Sequence, residues 1–445
     1  MKAFVQSFGC QLNVSDGEKL KGLLGDMGYS FTGDNTEADL IILNTCAVRE
    51  SAEERVFGII GEMKHLKEAK PEMIIIVSGC MTAQEHIAPK IKKSYPHVDI
   101  VVGTGAFASL PKLIEECRKG QKFGVDISEY DDFSHERKQV RESTFKASVP
   151  IMFGCNNFCT YCIVPYVRGR ERSRNAEDIV SEVRGLVENG YKEIMLLGQN
   201  VNSYGKDLDG SPTFPQLLRL LDGIDGDFVI RFMSSHPKDV TNELIEAIFD
   251  CKKVAKHLHL PIQSGNDDIL KAMNRNYTVR QYLDTVNKLR SQCSDFSLTT
   301  DIIVGFPNET DRQFEDTVSL LRKVKFDNIF AFIYSKRTGT KAAEIDDKIS
   351  GEVKSQRMQS LLEVQREIAE QNNKRFIGRT LRVLADTVSK KRKGRITGKS
   401  DEFIIVEFDG DSGLLGEFVD VKVDAAMNWA VSGKMKEEGI ENGFN

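Results

Sequence analysis

The run GCNNFCTYC, residues 154–162, decides the fold of this 445-residue chain. Its cysteines, Cys155, Cys159 and Cys162, are spaced so that three thiolates can bind one iron–sulfur cluster. A [4Fe–4S] cube normally takes four cysteine ligands, and no fourth cysteine lies nearby, so one iron is predicted to keep a free position for chemistry. Structural zinc is the alternative, but zinc prefers four ligands and no second pair lies close. A loop without metal is the remaining alternative.

The composition is that of an ordinary globular protein, with 40% hydrophobic residues, 29% charged residues and a net charge of −5. The length predicts several domains. The longest apolar runs, such as Met73–Val77, have the length of a strand rather than of a membrane span, so no membrane partner is expected. The start of the chain lacks the apolar core of a secretion signal. Nine cysteines without close pairing favour a reducing compartment. We therefore expect a cytoplasmic protein.

Three similar units fill the first hundred residues. The runs AFVQSFGC, DLIILNTC and MIIIVSGC each end in a cysteine, at Cys10, Cys46 and Cys80, and helix-like stretches separate them. Strands that alternate with helices predict a parallel sheet. Because the carboxyl ends of parallel strands meet at one edge, the three cysteines should converge into a second three-cysteine site. Three buried, inert cysteines are the alternative.

The middle of the chain repeats the alternation of strand and helix six times. Six β/α units are too few for a complete eight-stranded barrel and predict an open partial (β/α)6 barrel, with its active face at the carboxyl ends of the strands. The cysteine loop follows the first strand directly. The predicted strands are 149–153, 193–198, 228–233, 257–260, 298–304 and 329–333, and the predicted helices include 176–189, 240–249, 280–292 and 311–324.

The pattern changes to short strands after residue 379, which predicts a small β-barrel, an architecture that commonly binds nucleic acid. A basic run in it is expected to contact RNA, with a solvated loop as the alternative. This run comprises Lys390, Lys391, Arg392, Lys393 and Arg395. Its aromatic residues Phe403, Phe408 and Trp429 are expected in the core. The predicted α/β organisation has domains at 1–128, 146–376 and 377–435, a linker at 129–145 and a tail at 436–445.

With these segments placed, the chain resembles the MiaB-type tRNA methylthiotransferases. The C-x3-C-x2-C spacing with Tyr161 is similar to the radical S-adenosylmethionine signature. The runs SFGCQLN, NTCAVRE and VSGCM resemble the N-terminal methylthiotransferase domain, and the end of the chain resembles a TRAM domain. The run LLGQNVNSYG, residues 196–205, resembles the tRNA-directed subgroup, and VPYVRGRERSR, SSHPKD and HLPIQSGN point the same way.

The resemblance implies a function and its cofactors. S-adenosylmethionine would bind the open iron of the Cys155 cluster, whose electron releases a deoxyadenosyl radical. Cys10, Cys46 and Cys80 would hold a second, auxiliary [4Fe–4S] cluster that carries the sulfur. The reaction implied converts N6-isopentenyladenosine at position 37, beside the tRNA anticodon, into its 2-methylthio derivative. One S-adenosylmethionine is used for the radical and a second for the methyl group.

Further residues are assigned to the cofactor or the substrate. The cofactor-binding candidates are Tyr161, Gln199, Asn200, Ser234, Gln263, Arg275 and Asp301, most of them at strand ends. The alternatives are loop packing for Tyr161, a surface salt bridge for Arg275 and a buried scaffold acid for Asp301. Every second residue from 168 to 174 is arginine, and this stretch, if extended, would present one phosphate-binding face. These arginines are Arg168, Arg170, Arg172 and Arg174.

The four arginines also have alternatives, namely a helical turn or ion pairs with Glu171 or Glu177. His236, His257 and His259 are expected to be ordinary hydrogen-bonded histidines. No catalytic side chain is predicted beyond the two clusters.

The expected partners are the tRNA anticodon stem-loop, an electron donor of the flavodoxin or ferredoxin type and a sulfur source, and the chain is expected to act as a monomer. Two rivals share the chemistry and differ in substrate, which would be threonylcarbamoyl adenosine in tRNA or a ribosomal protein aspartate. A rival of another class is an iron–sulfur RNA-binding sensor without catalysis. Cleavage of S-adenosylmethionine under reducing conditions would separate an enzyme from a sensor.

Overall fold

A computed structural model of the protein describes residues 1–47, 50–128, 139–390 and 392–436. Most of the predicted linker, nearly all of the predicted tail and Lys391 lie outside the described residues. None of the helices in the described ranges has both the length and the apolar character needed to cross a bilayer.

The N-terminal domain is a parallel sheet covered by helices, as predicted. Its strands are β1 (Lys2–Ser7), β2 (Ser30–Phe31), β3 (Leu40–Thr45), β4 (Ile74–Gly79), β5 (Ile100–Gly103) and β6 (Gly124–Asp126), in the order β2-β1-β3-β4-β5-β6. Its helices are α1 (Gln11–Asp26), α2 (Glu50–Ala69), α3 (Ile87–Ser94) and α4 (Leu110–Arg118). Alternate residues of β3 enter opposite cores, Ile42 on one face and Ile41 on the other. A fully apolar strand of this kind is typical of a sheet buried on both faces.

The middle domain is the open barrel that the sequence predicts. Strands β7, β10 and β11 form one parallel sheet and β12, β13 and β14 another, and a parallel bridge links Ile230 of β11 to Val254, which lies just before β12. The strands are β7 (Lys146–Pro150), β8 (Met152–Phe153), β9 (Arg172–Ser173), β10 (Glu193–Leu197), β11 (Val229–Phe232), β12 (His257–His259), β13 (Ser297–Val304) and β14 (Asn328–Ile333). The helices are α5 (Val164–Arg168), α6 (Ala176–Glu188), α7 (Phe214–Asp222), α8 (Asn242–Asp250), α9 (Asp267–Ala272), α10 (Val279–Gln292), α11 (Asp311–Val324) and α12 (Gly351–Lys374).

The first predicted strand of this domain differs in one respect. It divides after Pro150, because β7 pairs with β10 whereas the following β8 turns away and pairs antiparallel with β9. The division places β8 and β9 on the two sides of the cysteine loop and ties the loop down at both ends.

The C-terminal domain is a closed five-stranded barrel in the order β15-β16-β17-β19-β18. The strands are β15 (Thr380–Val388), β16 (Arg395–Ser400), β17 (Ile405–Asp409), β18 (Phe418–Ala426) and β19 (Val431–Met435). Phe408 is fully buried in its core, as expected. Trp429 is 52% exposed, so the expectation that it belongs to the core is wrong. Phe403 leaves the barrel and stacks on His257 of the middle domain, with ring centroids 4.5 Å apart.

The two outer domains contact opposite ends of the open barrel. The C-terminal domain lies at the amino ends of the strands, where Arg231 donates to Ser400 O at 2.9 Å and Lys146 pairs with Asp386. The N-terminal domain contacts the segment that follows the cysteine loop, where Arg168 pairs with Asp16 at 2.7 Å. The carboxyl ends of the strands, where function is expected, therefore face the N-terminal domain.

Candidate active site

The Cys155 loop is shaped by a glycine and by the chain that returns beside it. Gly154 has φ +74°, and a Cβ there would lie 1.9 Å from the carbonyl oxygen of Arg170. The neighbouring Cys155 N donates to Gly169 O at 3.1 Å. Only glycine allows both this conformation and this close approach, so residue 154 fixes where the first cysteine lies.

The three thiols of the loop share one largely buried pocket. Cys155 and Cys159 are buried. Burial, together with the neighbouring Cys159 and Cys155, raises the pKa of the Cys162 thiol to about 12. Burial also raises the pKa of Cys155. Metal ligation requires thiolates. Because the thiols of Cys155 and Cys162 have raised pKa values, a cationic centre is needed to stabilise their thiolate form, and an iron cluster fits this requirement.

Nitrogen donors already point at the sulfur atoms. Asn157 Nδ2 lies 3.5 Å from Cys155 Sγ, and Arg275 NH1 lies 3.6 Å from Cys159 Sγ. Hydrogen bonds to cluster sulfurs are one of the means by which proteins stabilise reduced iron–sulfur centres. Among the described residues, no three His, Cys, Asp or Glu side chains are placed to hold one metal ion together.

The second set of cysteines lies at the ends of three adjacent strands. Cys10, Cys46 and Cys80 come shortly after β1, β3 and β4, which are neighbours in the sheet. A Cβ on Gly9 would lie 2.5 Å from Cys46 Sγ, so the first and second segments are in close contact. Cys46 and Cys80 are buried and Cys10 is exposed. The three cysteines therefore follow neighbouring strands at one edge of the sheet, and their joint binding of a cluster stays a prediction.

Asn13 joins the strand ends around this second set. Its Nδ2 donates to Phe8 O at 2.8 Å and to Thr45 O at 2.7 Å, and its Oδ1 lies 3.6 Å from Cys80 Sγ. Burial raises the pKa of the Cys80 thiol to about 12, while the Arg168 guanidinium acts in the opposite direction. The ligand set is again three cysteines, here with one nitrogen donor, Arg168 Nε, 3.0 Å from Cys80 Sγ, and it fits a second cluster of the same kind.

Buried polar atoms without protein partners collect near the first site. Within the described part of the chain, no hydrogen bond reaches Gln199 Oε1, Asn200 Oδ1, Ser235 Oγ or His236 Nε2. These residues directly follow β10 and β11, at the active face of the barrel. An unpaired buried polar group costs about 1–3 kcal/mol, so four of them in one region indicate a polar ligand. S-adenosylmethionine, with amino, carboxylate and ribose groups, fits this set.

Two further strand-end candidates carry unusual backbone conformations. Ser234 has φ +65° and Gln263 has φ +71°, and neither is glycine. Such positions cost of order 1–3 kcal/mol and collect at ligand sites. Ser235 is, like Ser234, a polar residue expected at the end of the third strand, whereas His236 is expected to be an ordinary histidine. Its position in the same SSHP run as Ser234 is the signal that could have identified it.

The remaining cofactor candidates are placed as follows. Arg275 is buried and donates to Pro261 O at 2.6 Å as well as facing Cys159, so the surface salt bridge is excluded. Tyr161 packs against a group of apolar side chains that includes Met273 and Phe306. This is the loop packing given above as the alternative to a role in cofactor binding. Packing of this kind leaves its predicted role towards the cofactor untested.

Asp301 and the histidines lie inside the barrel. Asp301 keeps 28% of its side chain exposed and lies 3.4 Å from His259 Nε2, so it is not a fully buried scaffold acid. His257 and His259 both contact Thr299 Oγ1, at 2.8 and 2.9 Å. They are hydrogen-bonded histidines, as expected.

The expectation of one arginine face is wrong for two of its four members. Arg168 ends helix α5 and is buried against the N-terminal domain, and Arg174 is buried with Glu182 at 2.9 Å. Arg170 is exposed and lies 4.4 Å from the Phe158 ring, whereas Arg172 lies in β9. Arg168 ends a helix, Gly169 has a positive φ of +72°, and the chain then enters β9, so the four side chains do not share one side. Contact with RNA stays a prediction for Arg170 and Arg172.

Of the described residues in the basic run, Lys390, Arg392 and Lys393 lie between β15 and β16, and Arg395 begins β16. Lys390, Arg392 and Lys393 are exposed, and Arg392 and Arg395 also pair with Glu407 and Asp409. The loop is solvated and accessible to a polyanion.

Three family models match successive parts of the chain. The radical SAM superfamily matches residues 149–321, Uncharacterized protein family UPF0004 matches residues 2–103, and the TRAM domain matches residues 374–436. Among solved structures, a radical S-adenosylmethionine methyltransferase from Kitasatospora setae, TsrM, has a TM-score of 0.57 at 13% identity, covering 77% of this chain and 76% of that one. This likeness shows the shared fold.

Curated relatives align over nearly the whole chain. The tRNA-2-methylthio-N(6)-dimethylallyladenosine synthase of Acetivibrio thermocellus is 48% identical over 97% of this chain and 90% of its own length. The proteins of the same name from Thermoanaerobacter pseudethanolicus and Clostridium tetani are 47% and 46% identical over 97% of this chain, and the alignments cover 92% and 95% of those proteins. The chain belongs to the family of the tRNA-2-methylthio-N(6)-dimethylallyladenosine synthases, within the radical SAM superfamily.

Proposed function

We propose that this enzyme converts N6-isopentenyladenosine at position 37 of tRNA into its 2-methylthio derivative. The observation that carries the proposal is the presence of two separate three-cysteine sites, one at the active face of the open barrel and one at the facing sheet edge. The relatives named for this reaction support the substrate assignment. One site alone would serve cofactor cleavage, whereas insertion of sulfur requires a second.

The cofactors are S-adenosylmethionine and [4Fe–4S] clusters, and the protein supplies their binding and orientation. Bound at the first site, cluster and S-adenosylmethionine supply a radical able to remove hydrogen from an unactivated C–H bond, while the auxiliary cluster supplies sulfur. Cys155, Cys159 and Cys162 hold the first cluster, with Asn157 and Arg275 donating to it. The unpartnered polar atoms that follow β10 and β11 bind the polar groups of S-adenosylmethionine.

The auxiliary site keeps its ligands in place through the sheet itself. Cys10, Cys46 and Cys80 sit on loops whose ends are fixed by adjacent strands and by the hydrogen bonds of Asn13. Exposure of Cys10 leaves one side of this site open. That opening gives sulfur a route to the site and to the substrate.

The RNA partner is the anticodon stem-loop. The C-terminal domain presents Lys390, Arg392 and Lys393 to phosphates, and Arg170 and Arg172 lie nearer the reacting base. The proposal extends to a monomeric cytoplasmic enzyme that takes electrons from a flavodoxin or ferredoxin and receives sulfur from a separate donor.

The test is anaerobic turnover of the reconstituted protein with S-adenosylmethionine, reductant, sulfide and tRNA carrying either N6-isopentenyladenosine or threonylcarbamoyl adenosine. Mass spectrometry of the digested nucleosides is the readout. We expect the 2-methylthio product from the isopentenylated tRNA alone. Modification of the threonylcarbamoyl tRNA instead would refute the substrate assignment. Deoxyadenosine without either product would point to another substrate, such as a ribosomal protein. Absence of all products from a protein with both clusters loaded would favour the sensor.

A further inference from the structure

Arg168 is a buried cation that belongs to one domain and bonds to another. Its side chain is 6% exposed, and it ends helix α5 of the middle domain. Its NH2 donates to Asn13 Oδ1 at 2.9 Å and to Asp16 Oδ2 at 2.7 Å, and its Nε lies 3.0 Å from Cys80 Sγ. All three partners are in the N-terminal domain, around the auxiliary site.

Helix α5 also connects the two sites physically. The helix begins two residues after Cys162, the last cysteine of the first site. Ile163 and Val167 pack directly on Ala47 and Cys80, and Thr104 Oγ1 donates to Val167 O at 2.9 Å. The wall between the two sites is therefore made of this short helix, and Arg168 is its charged end.

The charges of Arg168 and Asp16 predict how each residue shifts the reduction potential of a cluster bound beside them. A guanidinium that donates to a ligand sulfur stabilises added negative charge, and hydrogen bonds to sulfur and local charge set the reduction potential of a cluster. The Asp16 carboxylate opposes this effect, because it partly neutralises the same guanidinium. The two residues should therefore move the potential in opposite directions.

We propose that Arg168 is a positioning residue of the auxiliary site, which holds Cys80 through its Nε–H and raises the reduction potential of the cluster bound there. The inference rests on the proposed function, since it needs a cluster on Cys10, Cys46 and Cys80. It replaces the expected contact of Arg168 with RNA phosphates by a role inside the protein.

The experiment uses the full chain with Cys155, Cys159 and Cys162 replaced by alanine, so that the auxiliary cluster is the one observed. After anaerobic reconstitution, iron content and an EPR-monitored redox titration are measured for this protein and for variants added to it. We expect Arg168→Met to shift the potential to more negative values, Asp16→Asn to shift it to more positive values, and Arg168→Lys to reverse part of the shift seen in Arg168→Met.

Arg231→Met is the matched control. Arg231 is also a buried arginine with a carboxylate partner, Glu193 at 2.7 Å, and it also bonds to another domain. A potential unchanged by Arg231→Met would show that losing a buried arginine does not by itself move the cluster. An equal shift in Arg231→Met would overturn the inference.

The remaining outcomes separate this inference from the proposed function. Loaded clusters with unchanged potential in both Arg168→Met and Asp16→Asn would overturn the role of Arg168 and leave the auxiliary site standing. If Arg168→Met fails to bind iron, the test rests on Asp16→Asn and Arg168→Lys, each compared with the starting protein. A more positive potential in the first and a more negative one in the second would support the inference, and the opposite signs would overturn it. A starting protein that binds no iron would remove the auxiliary site itself, and the inference with it.

Discussion

The two sites have the same set of three cysteine ligands, but the spacing of these ligands along the sequence differs greatly. Cys155, Cys159 and Cys162 occupy one loop, so a local turn around Gly154 is enough to bring them together. Cys10, Cys46 and Cys80 are distant in sequence and meet only because β1, β3 and β4 are neighbours in a parallel sheet. A site made by one loop is visible as a motif, whereas a site made by topology is visible only after the fold is inferred.

The two sites also differ in whether the arginine beside the cysteines has a carboxylate partner. Arg168, beside Cys80, has the carboxylate of Asp16 as its partner. Arg275, beside Cys159, donates to two neutral oxygens, those of Pro261 and Tyr277. Arg275 NH1 also lies 3.6 Å from Cys159 Sγ, and we expect its charge to attract the carboxylate of S-adenosylmethionine in addition to its contact with the cluster ligand. Both sites are proposed to hold a cluster, but only at the first is the neighbouring arginine placed to contact a charged cofactor as well.

The largest expected effect comes from removing one cysteine at each site. Cys155→Ala should abolish cleavage of S-adenosylmethionine and leave the spectrum of the auxiliary cluster intact. Cys46→Ala should spare cleavage and stop sulfur insertion. Deoxyadenosine and the 2-methylthio nucleoside, measured in the same reaction, separate the two activities. Equal losses of both products from either change would break the division into two sites.

Glycine substitutions test the same division through the backbone. Gly9→Ala places a methyl group 2.5 Å from Cys46 Sγ, and Gly154→Ala places one 1.9 Å from Arg170 O. We expect the first to reduce iron at the auxiliary site and the second to reduce iron at the cofactor site, as measured by iron analysis and EPR.

Gly120→Ala is the control for these variants. Gly120 shares the positive φ, at +103°, but a Cβ there meets no atom within 4 Å. It should cost only about 1–2 kcal/mol of stability, with both clusters retained. Loss of iron in this variant would show that backbone strain alone explains the other two.

Arg275→Met tests the charge difference between the sites. Hydrogen bonds to charged groups are worth roughly 1.5–3 kcal/mol, so the affinity for S-adenosylmethionine should fall about 10- to 100-fold. Equilibrium binding to the reconstituted protein under anaerobic conditions measures this. Arg231→Met, which removes a buried arginine elsewhere in the barrel, should bind the cofactor with unchanged affinity. Similar losses in both would contradict a direct contact.

The smallest expected effect is in the C-terminal domain. Replacing Lys390, Arg392 and Lys393 together by glutamine should weaken tRNA binding and lower the slope of log K against log salt by about 0.7–0.9 for each phosphate that the loop no longer neutralises. Cleavage of S-adenosylmethionine in the absence of tRNA should not change. An unaltered salt dependence would remove this loop from the RNA interface.

The fold was largely predictable because its signals are periodic and local. The apolar runs that end in cysteine and the alternation of strand and helix predict both α/β domains. The failures concern side chains whose burial and ion-pair partners are set only by the folded chain. Arg168 and Arg174 look like a phosphate-binding series until Asp16 and Glu182 are placed beside them. Trp429 has an apolar side chain, yet it lies just before β19 and stays exposed, which its apolar character alone does not predict.

The most direct test of the two-site account is the iron content of three full-length proteins after anaerobic reconstitution. These are the unaltered chain, the chain with Cys155, Cys159 and Cys162 replaced by alanine, and the chain with Cys10, Cys46 and Cys80 replaced by alanine. Two independent cubes predict about eight, four and four irons per chain, respectively. About four irons in the unaltered chain, and none in either variant, would mean that the six cysteines share a single cluster and would contradict the account.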